Sequence, residues 1–148
     1  SPNHPKSRGE ITLNSSDPYD YPKILFNYLK DEEDLKQTRE CIHVARKILS
    51  QPALAEHAGD EVGPGFDAQS DDELNEYIRS KADTAYHPCG TCKMGVDDMA
   101  VVDQDLKVNG IGNLRVIDAS VIPEIPSANL NAPTLMIAEK GSEAILNN

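Results

Sequence analysis

The sequence predicts an α+β domain: helices with a few short, mainly antiparallel strands. Three observations predict it. Acidic clusters at residues 31–34 (DEED) and 71–73 (DDE) each precede apolar residues at helical spacing. A short alternating stretch at residues 10–13 (EITL) has the period of a half-buried strand. Near the end, NAPT at 131–134 opens a third run with helical character.

Taken in order, residues 1–9 are a polar, proline-containing lead-in. The strand at 10–13 ends in the turn NSSDP at 14–18. A mixed segment with prolines at 18 and 22 then closes in a short apolar stretch, Ile24, Leu25 and Phe26. The four acids at 31–34 lie where a helix N-terminus attracts negative charge. Leu35, Ile42, Ala45 and Leu49 follow at helical spacing, which predicts an amphipathic helix ending near Pro52. Residues 59–65 hold three glycines and a proline and read as a loop. Ser70 to Glu73 matches a capping box, and Leu74, Tyr77 and Ile78 line one side of a helix running to about Ala82. Beyond it lie two strand candidates, 100–103 (AVVD) and 114–118 (LRVID), the second entered from a glycine-rich turn at 109–112. The last helix is expected to begin at Asn131, with Asn131 as cap and Pro133 tolerated in the first turn.

The totals bound the function. The 148 residues suffice for one domain with a hydrophobic core, kept lean by only two Phe and no Trp. A net charge of −11 argues against a nucleic-acid or anionic-membrane partner. No apolar run approaches a membrane span, and the N-terminus has no signal-peptide character. Three cysteines do not form a disulfide framework, so a reducing, cytoplasmic compartment is expected. Ser1 in place of a starting Met points to a chain processed or cut from something longer.

The chemistry concentrates in YHPCGTCKMG, residues 86–95. Its C-x-x-C pair, Cys89 and Cys92, admits a redox dithiol or half of a metal site. A redox dithiol needs a strand leading into a helix, and no helical pattern follows this pair. A structural zinc needs four ligands; Cys41 lies in a predicted helix, and His43 and His57 are not spaced as a second half-site. His87 is balanced between a structural role and catalysis. Proline and glycine around it fix an irregular backbone of the kind that presents a side chain, and imidazole suits proton transfer near neutrality. Two further clusters carry chemistry. NLRVIDAS at 113–120 places a carboxylate at a strand end, where α/β sheets bind nucleotide cofactors. NLNAPT at 129–134 opens a helix whose free N–H groups favour an electron-rich group.

In this order and spacing the three clusters resemble the C-terminal part of the glucose–methanol–choline (GMC) flavoprotein oxidoreductases. The segments that carry the resemblance are YHPCGTCKMG and AVVDQDLKVNGIGNLRVIDASVIPEIPSANLNAPTLMIAEK. The lead-in SRGEITLNSSDPYDYPKILFNYL is similar to the family's substrate-domain strand and the connection after it. The resemblance spans nearly the whole chain, and HPCGTCKMG and NLNAPTLMIAEK are most similar to the choline-oxidising members.

The resemblance implies roles. His87 matches the base that takes the alcohol proton, and Asn129 the second member of that catalytic pair. Asp118 and Ala119 match contacts to the FAD ribityl and pyrophosphate. Asn131, Pro133 and Thr134 match the helix start facing the flavin pyrimidine edge. The implied reaction is hydride transfer from an alcohol carbon to FAD, with choline going to betaine aldehyde on the route to the osmoprotectant glycine betaine. Another primary alcohol is the runner-up substrate. A metal-binding or interaction module on Cys89, Cys92 and His87 is the alternative of a different class, although no metal set is expected. The family's G-x-G-x-x-G fingerprint is not in this sequence. Residues 1–148 are therefore expected to form the C-terminal, substrate-side domain, with 113–148 completing the FAD-binding domain of a longer enzyme. The expected partner is the N-terminal FAD-binding part. Alone, the fragment is expected to bind FAD poorly, not to turn over, and to self-associate through exposed strand edges. Attachment of the full-length enzyme to the inner face of the membrane is kept as an option.

Overall fold

Asp31 has extended backbone, and its carboxylate accepts the Glu33 N–H at 2.9 Å, which satisfies one of the donors a helix start leaves unpaired. The helix it opens, α1 (Glu32–Leu49), carries three acids in its first turn and Arg46 and Lys47 in its last, matching both ends of the helix dipole. This computed structural model describes residues 2–147. The chain divides after Asp83 into two compact units.

The first unit begins with a hairpin, β1 (Glu10–Thr12) and β2 (Lys23–Leu25), paired antiparallel with Ile11 opposite Ile24. The apolar stretch at 24–26 thus supplies a strand that the sequence pattern did not mark. Both strands are exposed along their length. After α1, a 3-10 turn at Pro52–Leu54 marks the expected stop. The second helix, α2 (Asp71–Lys81), starts on the capping box: Ser70 Oγ accepts the Glu73 N–H, and the Glu73 carboxylate accepts the Ser70 N–H at 2.8 Å. Helices α1 and α2 pack together, burying Leu35, Leu74 and Ile78. The rest of the α1 stripe is not buried; Leu49 is more than half exposed. Arg46 ties the 59–68 loop to α1. Its Nε donates to Glu61 Oε2 at 3.0 Å, and its Nη2 donates to the Gly65 and Ala68 carbonyls.

Asp34 is the one buried charged group among the described residues. Burial alone would raise its pKa, but the Ser7 side chain, the Lys6 and Ser7 N–H groups and the Arg8 charge outweigh it, so the carboxyl lies below its ordinary value. A folded-state pKa below the unfolded one stabilises above about pH 4 and is lost as pH falls through the depressed value. Asp34→Asn is therefore expected to cost about 1–2 kcal/mol at pH 7. In urea denaturation the penalty should fade toward pH 3, and an undiminished penalty there would contradict the ionic account.

The second unit has little regular structure besides α3 (Asn131–Leu146). The strand candidates at 100–103 and 114–118 do not form as strands. Single-residue bridges stand in their place: Met94 with Val102, Val102 with Val108, and Lys107 with Arg115. The backbone reverses too often for longer ladders, with positive φ at Leu106 (65°), Gly110 (80°) and Asn113 (62°). What the alternation does achieve is a core. Val102, Leu106, Val121 and Ile137 are buried together, flanked by Met94, Val101, Val108, Val116, Ile117 and Ile122. Gly141 makes the helix contact with this layer. A Cβ there would lie 2.5 Å from Ile117 Cγ2. Among the described residues no helix is long and apolar enough to cross a membrane.

Candidate active site

Every residue of the three chemical clusters falls in the second unit. His87 lies in a loop shaped by its neighbours. Pro88 disfavours helical backbone at His87, and Gly90 adopts φ 86°, where any side chain is strained. The loop is laced to the segment after Asp118 by two backbone bonds, Cys92 N–H to Ser120 O at 3.0 Å and Met94 N–H to Val121 O at 2.8 Å. A Cβ on Gly90 would come within 3.3 Å of the Ile122 carbonyl. The C-x-x-C spacing therefore serves the backbone, in a tight turn closed by the Lys93 N–H on Gly90 O at 3.2 Å. The cysteines form no disulfide, and among the described residues no three His, Cys, Asp or Glu side chains group as metal ligands. Farther along, the Lys93 ammonium, 2.9 Å from Asp97 Oδ2, and the Met99 N–H together hold the Asp97 carboxyl below its ordinary range.

Asn129, 42 residues from His87 in sequence, places its side-chain amide 2.9 Å from His87 Nε2. An amide nitrogen can only donate, so in this contact as oriented Nε2 accepts and its lone pair is engaged by Asn129. The amide has two N–H bonds, which leaves one for another acceptor. His87 is half-buried and Asn129 exposed, so the pair is open to a small molecule.

Asp118 has extended backbone, and its carboxylate accepts the Ser120 N–H at 2.7 Å to start a 3-10 turn at Ala119–Val121. Helix α3 packs against that turn. At the head of α3 the cap differs from expectation. Asn131 is the first helical residue, and the capping position is Leu130, which offers no side-chain cap. The Leu130 carbonyl instead accepts both the Thr134 N–H at 2.9 Å and the Thr134 hydroxyl at 2.7 Å. Because Asn131 has already entered the helix, its exposed side chain is not used as the cap. Helix geometry leaves the Asn131 and Ala132 N–H groups without intrahelical partners, and Pro133 has none to satisfy. An uncapped N-terminus with an adjacent amide side chain fits an electron-rich ring edge or a phosphate.

These features have counterparts in known proteins. The family model for GMC oxidoreductase matches residues 5–138. The chain belongs to the GMC oxidoreductase family. One relative, described as an oxygen-dependent choline dehydrogenase of Klebsiella pneumoniae subsp. pneumoniae, is 52% identical over 139 residues, covering 94% of this chain and 25% of that protein. Among solved GMC-like structures, pyridoxine 4-oxidase from Mesorbium loti superposes with a TM-score of 0.91 at 33% identity, over 99% of this chain and 28% of that one. An FAD-dependent oxidoreductase from Chaetomium thermophilum superposes with a TM-score of 0.90 at 28% identity, over 97% of this chain and 25% of that one. The chain thus spans about a quarter of the length of the relatives it matches. The α+β architecture is the GMC one.

Sequence reasoning missed Thr84, whose hydroxyl accepts the Tyr86 N–H at 3.0 Å, and the positive φ of Tyr86 itself. The only sequence signal for them is a hydroxyl residue two positions before an aromatic that precedes His-Pro.

Proposed function

We propose that this chain is the C-terminal, substrate-side part of an FAD-dependent alcohol dehydrogenase, and that the alcohol is choline, oxidised to betaine aldehyde. The observation that carries the reading is the 2.9 Å contact between His87 Nε2 and Asn129 Nδ2. Choline rather than another primary alcohol is supported by the names of relatives about 50% identical. Bound FAD would supply the hydride acceptor.

Within that reaction this chain's residues hold and move the proton. Binding of the alcohol would displace the Asn129 N–H from Nε2, and the freed lone pair would take the hydroxyl proton as the carbinol carbon loses hydride. The second N–H of Asn129 then hydrogen-bonds the developing alkoxide without competing for its proton. Once Nε2 bears hydrogen it donates to that same oxygen, so both side chains then stabilise it. Asn131 and the first turn of α3, with Pro133 and Thr134 setting its shape, would hold the flavin pyrimidine edge. The positive end of the helix would favour negative charge there. Asp118 and Ala119 would hold the ribityl and pyrophosphate.

An upstream Rossmann part would carry most of the FAD contacts, and residues 113–148 would complete that domain. The exposed hairpin, with Ile11, Ile24, Leu25 and Phe26 each about half exposed, is the kind of apolar surface that the N-terminal part would cover. By itself the fragment would then hold FAD weakly, show no turnover and tend to self-associate. A cytoplasmic location suits a chain whose Cys41, Cys89 and Cys92 form no disulfide. The deciding measurement compares the purified full-length protein on choline and on aliphatic primary alcohols with an artificial electron acceptor. Flavin reduction by choline at the highest kcat/KM is expected. Preference for an aliphatic alcohol would replace the substrate, and a full-length protein without flavin would overturn the reading.

A further inference from the structure

Tyr86 precedes His87 with φ 61°, in the left-handed region. For an L-residue with an aromatic side chain this conformation is strained. Burial of the ring does not offset the cost, because Tyr86 is 79% exposed. The contact made by this strained backbone is with the Thr84 hydroxyl, which accepts the Tyr86 N–H at 3.0 Å. On the other side of His87, Pro88 removes the helical alternative and Gly90 turns left-handed again at φ 86°. His87 is therefore held between two left-handed residues, and the second is tied to the 3-10 turn after Asp118 through the bonds of Cys92 and Met94. If Tyr86 relaxed to ordinary extended backbone, the Cα–Cβ direction of His87 would swing, and Nε2 would leave the Asn129 amide.

We propose that Thr84 and the left-handed backbone of Tyr86 are positioning elements that aim the His87 ring at Asn129, so that Nε2 stands ready for the substrate proton. The proposal rests on the reading of His87 as the base. Thr84 touches neither substrate nor flavin in this account. Strain at Tyr86 is retained because it orients the histidine, and the hydroxyl of Thr84 keeps it from relaxing.

The test uses the full-length flavoprotein and steady-state kinetics on choline. Thr84→Val deletes the acceptor with little change of shape, while Thr84→Ser keeps it. Misplacement of a catalytic group by a fraction of an ångström lowers the chemical step more than binding. Thr84→Val is therefore expected to lower kcat about 10-fold with KM changed less than about 2-fold, and Thr84→Ser to restore kcat. A second pair tests the backbone itself and decides the matter if Thr84→Val does not fold. Tyr86→Asn and Tyr86→Val both delete the ring, but only Asn accepts positive φ readily. The valine variant should have kcat about 10-fold below the asparagine variant. Equal kcat within each pair, alongside a collapse of kcat in His87→Ala, would overturn the positioning role and leave the base intact. An unaffected His87→Ala would instead remove the reading on which the proposal rests.

Discussion

His87→Ala in the full-length enzyme is expected to lower kcat by about 10²-fold or more, the scale on which a positioned general base contributes. That corresponds to roughly 2.7 kcal/mol or more of lost transition-state stabilisation. The expectation follows from the geometry of one nitrogen. Asn129 holds Nε2, the ring atom that would receive the proton once the alcohol displaces the amide N–H from it. Alanine removes that acceptor and leaves the Asn129 amide facing water. KM for the alcohol should move far less than kcat, because the imidazole acts on the proton in flight more than on ground-state binding. Asn129→Ala should cost less than His87→Ala, since it removes a donor and an orienting contact but leaves the base. Steady-state kinetics with rapid-reaction measurement of flavin reduction would check both. An unchanged rate of flavin reduction in His87→Ala would remove the residue from the chemistry.

Gly141→Leu should destabilise the chain by about 3 kcal/mol or more, at the upper end of overpacking penalties. Even a single Cβ at this position would lie 2.5 Å from Ile117 Cγ2 and 2.8 Å from its Cδ1. Cγ2 branches directly from Cβ, so it cannot swing clear as the end of a long side chain could. Gly141→Ala is the milder case. Its gain of about 1 kcal/mol in helix propensity offsets part of the clash, leaving a smaller net loss. Combining Gly141→Ala with Ile117→Ala should recover part of that loss, which a double-mutant cycle in urea would detect as coupling. Additive losses would show that the two side chains do not meet. The site is affected too, because Ile117 is adjacent to Asp118, and a displaced Ile117 would move the proposed ribityl contact away from the head of α3.

The helices were the most legible part of the fold. DEED at 31–34 and the Ser70–Glu73 box are local signals, read within one turn, and α1 and α2 begin where those signals predict. The strands were less legible. Residues 100–103 and 114–118 have the apolar pattern of strands, and Val102 and Val116 do face the core, but a pattern does not record how often the backbone reverses. Leu106 and Asn113 adopt positive φ, which the apolar pattern does not carry. The cap of α3 was misplaced by one residue for a related reason. Asn at 131 is a good cap by propensity, but the capping position is Leu130, whose carbonyl accepts the Thr134 hydroxyl, and Asn131 is the first helical residue.

The sequence by itself determined the family, through the spacing of YHPCGTCKMG, NLRVIDAS and NLNAPT, and the residue types available for proton transfer. The resemblance already paired His87 with Asn129, and only the tertiary structure decided that the two side chains touch. Forty-two residues separate them, and a 2.9 Å contact across that distance depends on the bonds that hold the His87 loop to the turn after Asp118. It also decided that the backbone around the cysteines makes a tight turn, closed by the Lys93 N–H on Gly90 O. Local chemistry can be read from neighbours in the chain. A contact between distant segments exists only once burial of a shared core, here Val102, Val121 and Ile137, has brought them together.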